Sequence, residues 1–274
     1  MSDRVTVTMD GGVADVRLVR TDKMNALDAK MFDALVATGE ELKTQKGLRA
    51  VVLSGEGRAF CAGLDMGNFA QMAGGGRDPQ SAGSGGTNNL VAREYGIANK
   101  AQQVCIVWQQ IPVPVIAAVH GVAFGGGFQL TLGADMRYVA PDTKMSVMEI
   151  KWGLVPDMAG LLLMPGLARN DIMRELTYTG KVFTGAEAKE YGFATRVCEN
   201  PREEALATAK EIANKSPHAI RGAKRLLNLA QHADAAAILR AETEEQVALI
   251  ASPNQVEAVM SNMQKRAPNF VEVA

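Results

Sequence analysis

Two carboxylates, Glu149 and Asp157, stand eight residues apart in the segment 148–160, MEIKWGLVPDMAG, among mostly apolar neighbours. A carboxyl group lodged in an apolar pocket has its pKa raised by desolvation, which poises it for proton transfer near neutral pH. Each acid also has a plainer role open to it. Asp157 follows Pro156 and could cap a helix over 158–163. Glu149 could lie on a strand edge, paired with Lys144 or Lys151. Two glycine-rich stretches offer a second kind of chemistry: 55–65, GEGRAFCAGLD, and 120–130, HGVAFGGGFQL. In the first, small residues follow a strand and let a ligand approach the backbone, with a helix starting near Asp65. In the second, Gly125, Gly126 and Gly127 precede an apolar helix. Free N–H groups at a helix start carry partial positive charge and suit an anion or a developing oxyanion.

Other chemistries lack their signatures. No lysine follows the glycines in the G-x-x-x-x-G-K-[ST] pattern, and G-x-G-x-x-G is absent, so neither a phosphate loop nor a dinucleotide site is supported. A G-x-S-x-G elbow is missing too. Cys61, Cys105 and Cys198 are scattered and read as small buried or half-buried thiols, and His120, His218 and His232 show no ligand spacing. The formal charge of −1 carries no basic excess that would point to nucleic acid. No apolar run approaches the ~20 residues needed to cross a bilayer. The N-terminus enters strand-like sequence without the apolar core of a signal peptide, so the expected location is cytoplasmic.

The elements that must position these residues follow from patterning. β-branched residues at 5–9 and 13–18 flank Asp10-Gly11-Gly12 as a hairpin. Asp28 caps an amphipathic helix carrying Met31, Phe32, Leu35, Val36 and Leu42. Residues 49–54, RAVVLS, form a short buried strand ending at Gly55. Strand, glycine-rich turn, helix and strand recur over 113–120, 125–132 and 136–139, which predicts an α/β architecture of repeated β-β-α turns. Residues 71–89 are rich in Gly, Ser and Asn and read as a loop near the active site, with a passive insertion as the alternative. From 201 onward the sequence turns helical, over 203–214, 217–231, 235–251 and 254–265. The expected division is a spiral core over 1–200 and a helical cap or assembly region over 201–274. Phe69, Trp108, Phe124 and Phe128 read first as core, with the wall of an apolar site as their alternative.

Taken in order, DKMNALD (22–28), GRAFCAGLD (57–65), PVIAAVHGVAFGGG (114–127), KWGLVPDMAG (151–160), TGKVFTGAEAKEYGFATRV (179–197) and SPHAIRGAKRLL (216–227) resemble the blocks of the crotonase (enoyl-CoA hydratase/isomerase) superfamily. The resemblance runs over nearly the whole chain. It implies a crotonase-like spiral of β-β-α turns with a helical C-terminal region, assembled as a homotrimer or a dimer of trimers. It implies that the amides of Leu64 and Gly126 bind the thioester oxygen of an acyl-CoA, where an enolate forms. CoA would lie against Lys23, Met24, Ala26, Ala62, Leu64 and Asp65. No cofactor or metal beyond the CoA of the substrate is implied, and no nucleic-acid or membrane partner.

The same resemblance sharpens the question of the reaction. Hydratases of this family use two glutamates on one water; Glu149 matches the second, while Gln129 stands where the first would be. A glutamine can hold water but cannot take its proton. Asp157 matches the position at which family isomerases and the chlorobenzoyl-CoA dehalogenase carry a carboxylate, and two of the three acids of dienoyl-CoA isomerases are kept. Proton shuttling through Glu149 and Asp157 therefore fits somewhat better than two-glutamate hydration. A CoA-binding or assembly protein without turnover is the competing class.

Overall fold

Strands β1 (Val5–Asp10) and β2 (Val13–Leu18) pair antiparallel across Gly11 and Gly12, which both hold positive φ angles of 55° and 82°. A two-residue turn of this kind matches the twist of the strands and needs glycine-like backbone freedom at both positions. The computed structural model describes residues 3–67 and 90–273; the expected 71–89 loop and Phe69 lie outside them. Asp28 accepts a hydrogen bond from the Met31 amide at 2.9 Å and starts helix α1 (Ala29–Thr44), whose apolar stripe of Met31, Phe32, Leu35, Val36 and Leu42 is buried.

From β2 onward the main sheet grows in parallel. β3 (Ala50–Gly55), β4 (Val115–Val119), β6 (Met136–Val139) and β9 (Arg196–Val197) follow in the order β1-β2-β3-β4-β6-β9. A second, smaller sheet contains β5 (Val122–Phe124), β7 (Lys144–Ser146) and β8 (Phe183–Thr184), in the order β5-β7-β8. Cys61 extends it by a bridge to Ala123. Each turn of the chain thus lays one strand in the large sheet, crosses to the small one, and advances by one position in both. This is the α/β spiral expected from the recurring pattern.

Both faces of the large sheet are covered at its centre, which is why β3 and β4 are buried throughout and read as apolar runs, whereas β1 at the edge is exposed beyond Val5. Val51, Leu53, Val115, Ala117 and Val139 face inward toward α1, α2 (Lys100–Gln110) and α3 (Gly126–Leu132). Ala50, Val52, Ile116, Ala118 and Tyr138 face the other way, against Ala205 and Ala209 of α7 (Pro201–Ala213). Helix α2 is absent from the expectations above, although Asn99 and Gln102 form a reciprocal capping box at its start.

Three shorter helices lie between: α4 (Gly160–Leu163), α5 (Asn170–Thr179) and α6 (Gly185–Tyr191). The C-terminal region continues as α8 (Pro217–Leu229), α9 (Ala235–Leu249) and α10 (Pro253–Met263). Lys224 anchors α8 by reaching into the core, donating to the Val113 carbonyl at 2.9 Å and to Asp135 at 2.8 Å. Helix α9 has no buried residue and exposes Leu239 and Val247. Among the described residues no helix is long and apolar enough to cross a membrane, and no cluster of His, Cys, Asp or Glu is placed to hold a metal ion.

Candidate active site

The first wall of the site is made where three distant segments are sewn together. The Ala62 amide donates to the Met24 carbonyl at 2.9 Å, Leu27 to Gly63 at 2.8 Å, and Asp65 to Leu27 at 3.1 Å. On the other side Cys61 donates to Val122 at 3.0 Å and Phe124 back to Cys61 at 3.2 Å. Gly63, at φ 88°, is pressed so closely on this neighbour that a Cβ there would lie 2.5 Å from the Phe124 carbonyl oxygen. The same absent Cβ would sit 3.8 Å from the Gly126 nitrogen, so the two glycine-rich turns meet. Among the described residues neither the Leu64 nor the Gly126 amide donates to a protein acceptor. For Gly126 this follows from its place as the first residue of α3, where N–H groups have no partner in the helix.

Ala62, Leu64 and Gly126 line a cleft of about 140 Å³, with Glu149 and Asp157 on its walls. The remaining lining is apolar, with Phe32, Ala101, Phe124, Trp152, Leu154 and Met158 prominent. Lys23, Met24, Ala26 and Asp65 are not on this surface. They form the strap beside it: Lys23 is exposed, Ala26 is buried, and Asp65 is tied to Arg20 at 2.6 Å and to the Gly67 amide at 2.8 Å. Of the four aromatics, Phe124 joins the cleft, while Trp108 and Phe128 are fully buried in the core.

Glu149 opens a tight 3-10 turn, Glu149–Trp152, directly after β7. It is 9% exposed. Its Oε1 accepts from Gln129 Nε2 at 2.6 Å, while Oε2 is buried without a hydrogen-bond partner. No ion pair with Lys144 or Lys151 forms; Lys151 instead lies over the Trp152 ring at 5.2 Å. Burial raises the Glu149 pKa above the ordinary glutamate value, its own backbone amide and then the Gln129 hydrogen bond oppose this, and the nearby Asp157 charge adds to it.

Asp157 does not cap a helix. Helix α4 begins at Gly160, with Ala159 in the left-handed region before it and no side-chain cap. The Asp157 carboxyl faces the cleft. Solvent reaches it through the open mouth, but protein crowds its other sides, and this partial desolvation raises its pKa, opposed by its own backbone amide.

Gln129 departs most from its expected place. It is fully buried on α3 and lies behind Glu149, outside the lining of the cleft. Its carbonyl oxygen accepts from the Met158 amide at 3.0 Å and the Gly160 amide at 2.9 Å. The sequence marks Gln129 as a changed residue; nothing in its spacing announces this clamp.

A match across residues 8–273 to the profile of the enoyl-CoA hydratase/isomerase family accompanies this geometry. The chain belongs to that family. It is 28% identical to the peroxisomal Δ(3,5)-Δ(2,4)-dienoyl-CoA isomerase of Arabidopsis thaliana, over 96% of this chain and 94% of the other. It is 33% identical to the carnitinyl-CoA dehydratase of Proteus mirabilis, over 82% of this chain and 80% of that one. The solved structure of an enoyl-CoA hydratase from Bacillus anthracis superposes with a TM-score of 0.85 at 27% identity, covering 98% of this chain and 99% of that one. The crotonase-like fold and the hydratase/isomerase class of enzyme, acting on an acyl-CoA, are thereby those expected from the sequence.

Proposed function

We propose that this enzyme moves a double bond in an enoyl- or dienoyl-CoA thioester by proton transfer between Glu149 and Asp157. The observation that carries this reading is the position of Gln129. It sits behind Glu149 and out of the cleft, so the acids that face the substrate space among the described residues are Glu149 and Asp157. Asp157, open to solvent, is the base that takes the proton from the carbon next to the thioester. The electron pair runs into the thioester carbonyl as an enolate, whose oxygen the Leu64 and Gly126 amides receive. One such donor is worth roughly 3–4 kcal/mol in a transition state. Glu149, the more deeply buried acid, stays protonated and delivers its proton at the far end of the conjugated system. The double bond has moved, the Glu149 proton is on the product, and Asp157 holds the proton from the α-carbon; passing that proton back to Glu149 restores the starting state. No further cofactor enters these steps. CoA lies along the strap at Lys23, Met24, Ala26 and Asp65, which borders the cleft. The exposed apolar face of α9 supports assembly with further copies of this chain, as a trimer or a dimer of trimers, to be checked by light scattering.

Absorbance at the enoyl-thioester band tests the reaction with 2-enoyl-, 3-enoyl- and 3,5-dienoyl-CoA. Gain from 3-enoyl- or 3,5-dienoyl-CoA without loss from 2-enoyl-CoA supports isomerisation. Loss from 2-enoyl-CoA alone assigns hydration to the same two acids. No change with any chain length, together with measurable CoA binding, replaces both by a binding protein.

A further inference from the structure

Gln129 is a single amide with two different ends, and both ends are spoken for. Its oxygen accepts from two backbone amides, Met158 and Gly160, at 3.0 and 2.9 Å. An N–H group cannot accept, so these two donors fix which end of the amide is which. The –NH₂ end must then point at Glu149, 2.6 Å from Oε1. An oxygen that receives an N–H is not free to present its own proton there. A protonated Glu149 therefore carries its proton on Oε2, the atom that has no protein partner.

We infer that Gln129 is a positioning residue that directs the Glu149 proton to Oε2 and locks Glu149 in register with the turn bearing Asp157. It is not a vacated catalytic position. Its oxygen holds the two amides just after Asp157, and a Cβ at Gly160 would lie only 2.6 Å from that oxygen, so the clamp and the turn fit closely. The groups acting on Glu149 from the elements around it fit the same picture. Asp157 raises its pKa, and the Cys105 thiol on α2 is buried and pushed far up, with Glu149 and Asp157 contributing, so it stays neutral.

The inference rests on the isomerase reading for its kinetic consequences and stands apart from it for its titration. Two variants separate positioning from simple support. Gln129→Glu keeps an acceptor for Met158 and Gly160 but faces Glu149 with a carboxylate oxygen. The pair then shares one proton, drawn away from the cleft. Gln129→Met removes both ends of the clamp. Support alone predicts that Gln129→Glu is the milder change in every respect.

Positioning predicts a crossed result. Gln129→Glu keeps its thermal midpoint within a few degrees yet loses about 100-fold in kcat, with KM within about threefold. Gln129→Met unfolds at lower temperature but loses only about 10-fold in kcat. A Gln129→Glu enzyme with full kcat, or one that gains hydration of 2-enoyl-CoA, overturns the inference. Titration of Glu149 by ¹³C NMR of glutamate-labelled protein, assigned through Glu149→Gln, needs no turnover. The Glu149 midpoint should rise in Gln129→Met and rise further in Gln129→Glu. Equal midpoints in all three proteins overturn it as well, even where the wild-type enzyme proves inactive on every enoyl-CoA.

Discussion

The inner wall of the cleft and its outer lip each supply one carboxylate, and their surroundings differ sharply. Glu149 sits on the inner wall, 9% exposed, held at one oxygen by Gln129, and followed by a tight 3-10 turn. Asp157 sits on the lip, in a stretch that leaves Trp152, Leu154 and Val155 exposed at 39, 43 and 69%. The inner wall is preorganised: its groups are fixed before substrate arrives, so little reorganisation remains for the transition state. The lip is an apolar, solvent-facing surface, which substrate covers in the proposed mechanism. In that mechanism its acid changes surroundings when the cleft is filled, because an acyl group there would displace the water that reaches it.

The strongest way to break this contrast is to remove the proton from each side in turn. Glu149→Gln should lower kcat by about 1,000-fold, and Asp157→Asn by about 100-fold, both measured at the enoyl-thioester band. Equal and small losses would mean that the two acids do not divide the work. A displaced wall should cost less than a missing acid. A Cβ at Gly126 would meet Met158 Sδ at 2.7 Å and Leu27 Cδ1 at 2.9 Å, so Gly126→Ala should shift the amide and cost about 30- to 100-fold in kcat. On the lip, Trp152→Ala should act on binding. KM for a long-chain enoyl-CoA should rise about 5- to 10-fold, with kcat changed less than about threefold.

The smallest expected effect is thermodynamic and sharpens the contrast through pH. The Glu149 pKa is raised in the folded state, chiefly by burial. Its contribution to stability is therefore complete below the unfolded pKa and is lost as pH rises through the folded one. Glu149→Gln carries no such penalty. Its thermal midpoint should exceed that of the wild type by a few degrees near pH 8, at roughly 2–4 °C per kcal/mol for a chain of this size. The gap should close below pH ~4, near the ordinary glutamate value. A gap that widens on acidification would show that Glu149 is stabilised as a carboxylate.

Much of the framework was legible because the interactions that specify it are local. Asp28 announces α1 three residues ahead of the amide it caps, and RAVVLS is a doubly covered strand by its composition. Residues 136–139 were expected as a strand and form β6 with the same bounds. Strands β5, β7 and β8 have only three, three and two residues, too few for a period to show. Within the site, the glycine turns and the two acids stood out by residue type. The roles of their neighbours did not. Asp157 was as consistent with a helix cap as with a cleft, and only the left-handed Ala159 after it decides the matter. Gln129 reads in the sequence as a substitution. The clamp it forms depends on two backbone amides 29 and 31 residues away, which no local pattern can reveal.

The sewn edge of the cleft also bears on how the enzyme is made. Met24, Ala62, Val122 and Ser146 come from successive turns of the spiral, and backbone hydrogen bonds join each turn to the next, among them Ala62 to Met24, Cys61 to Val122 and Gly125 to Ser146. Most of these contacts link residues far apart in sequence, and such closures come late and slowly in folding. A partly wound chain has both carboxylates but has not yet brought the Leu64 and Gly126 turns together, where the proposed mechanism places the enolate. Recovered turnover is then a clock for the last winding step, and it should lag behind the return of helical signal when the denatured chain is refolded.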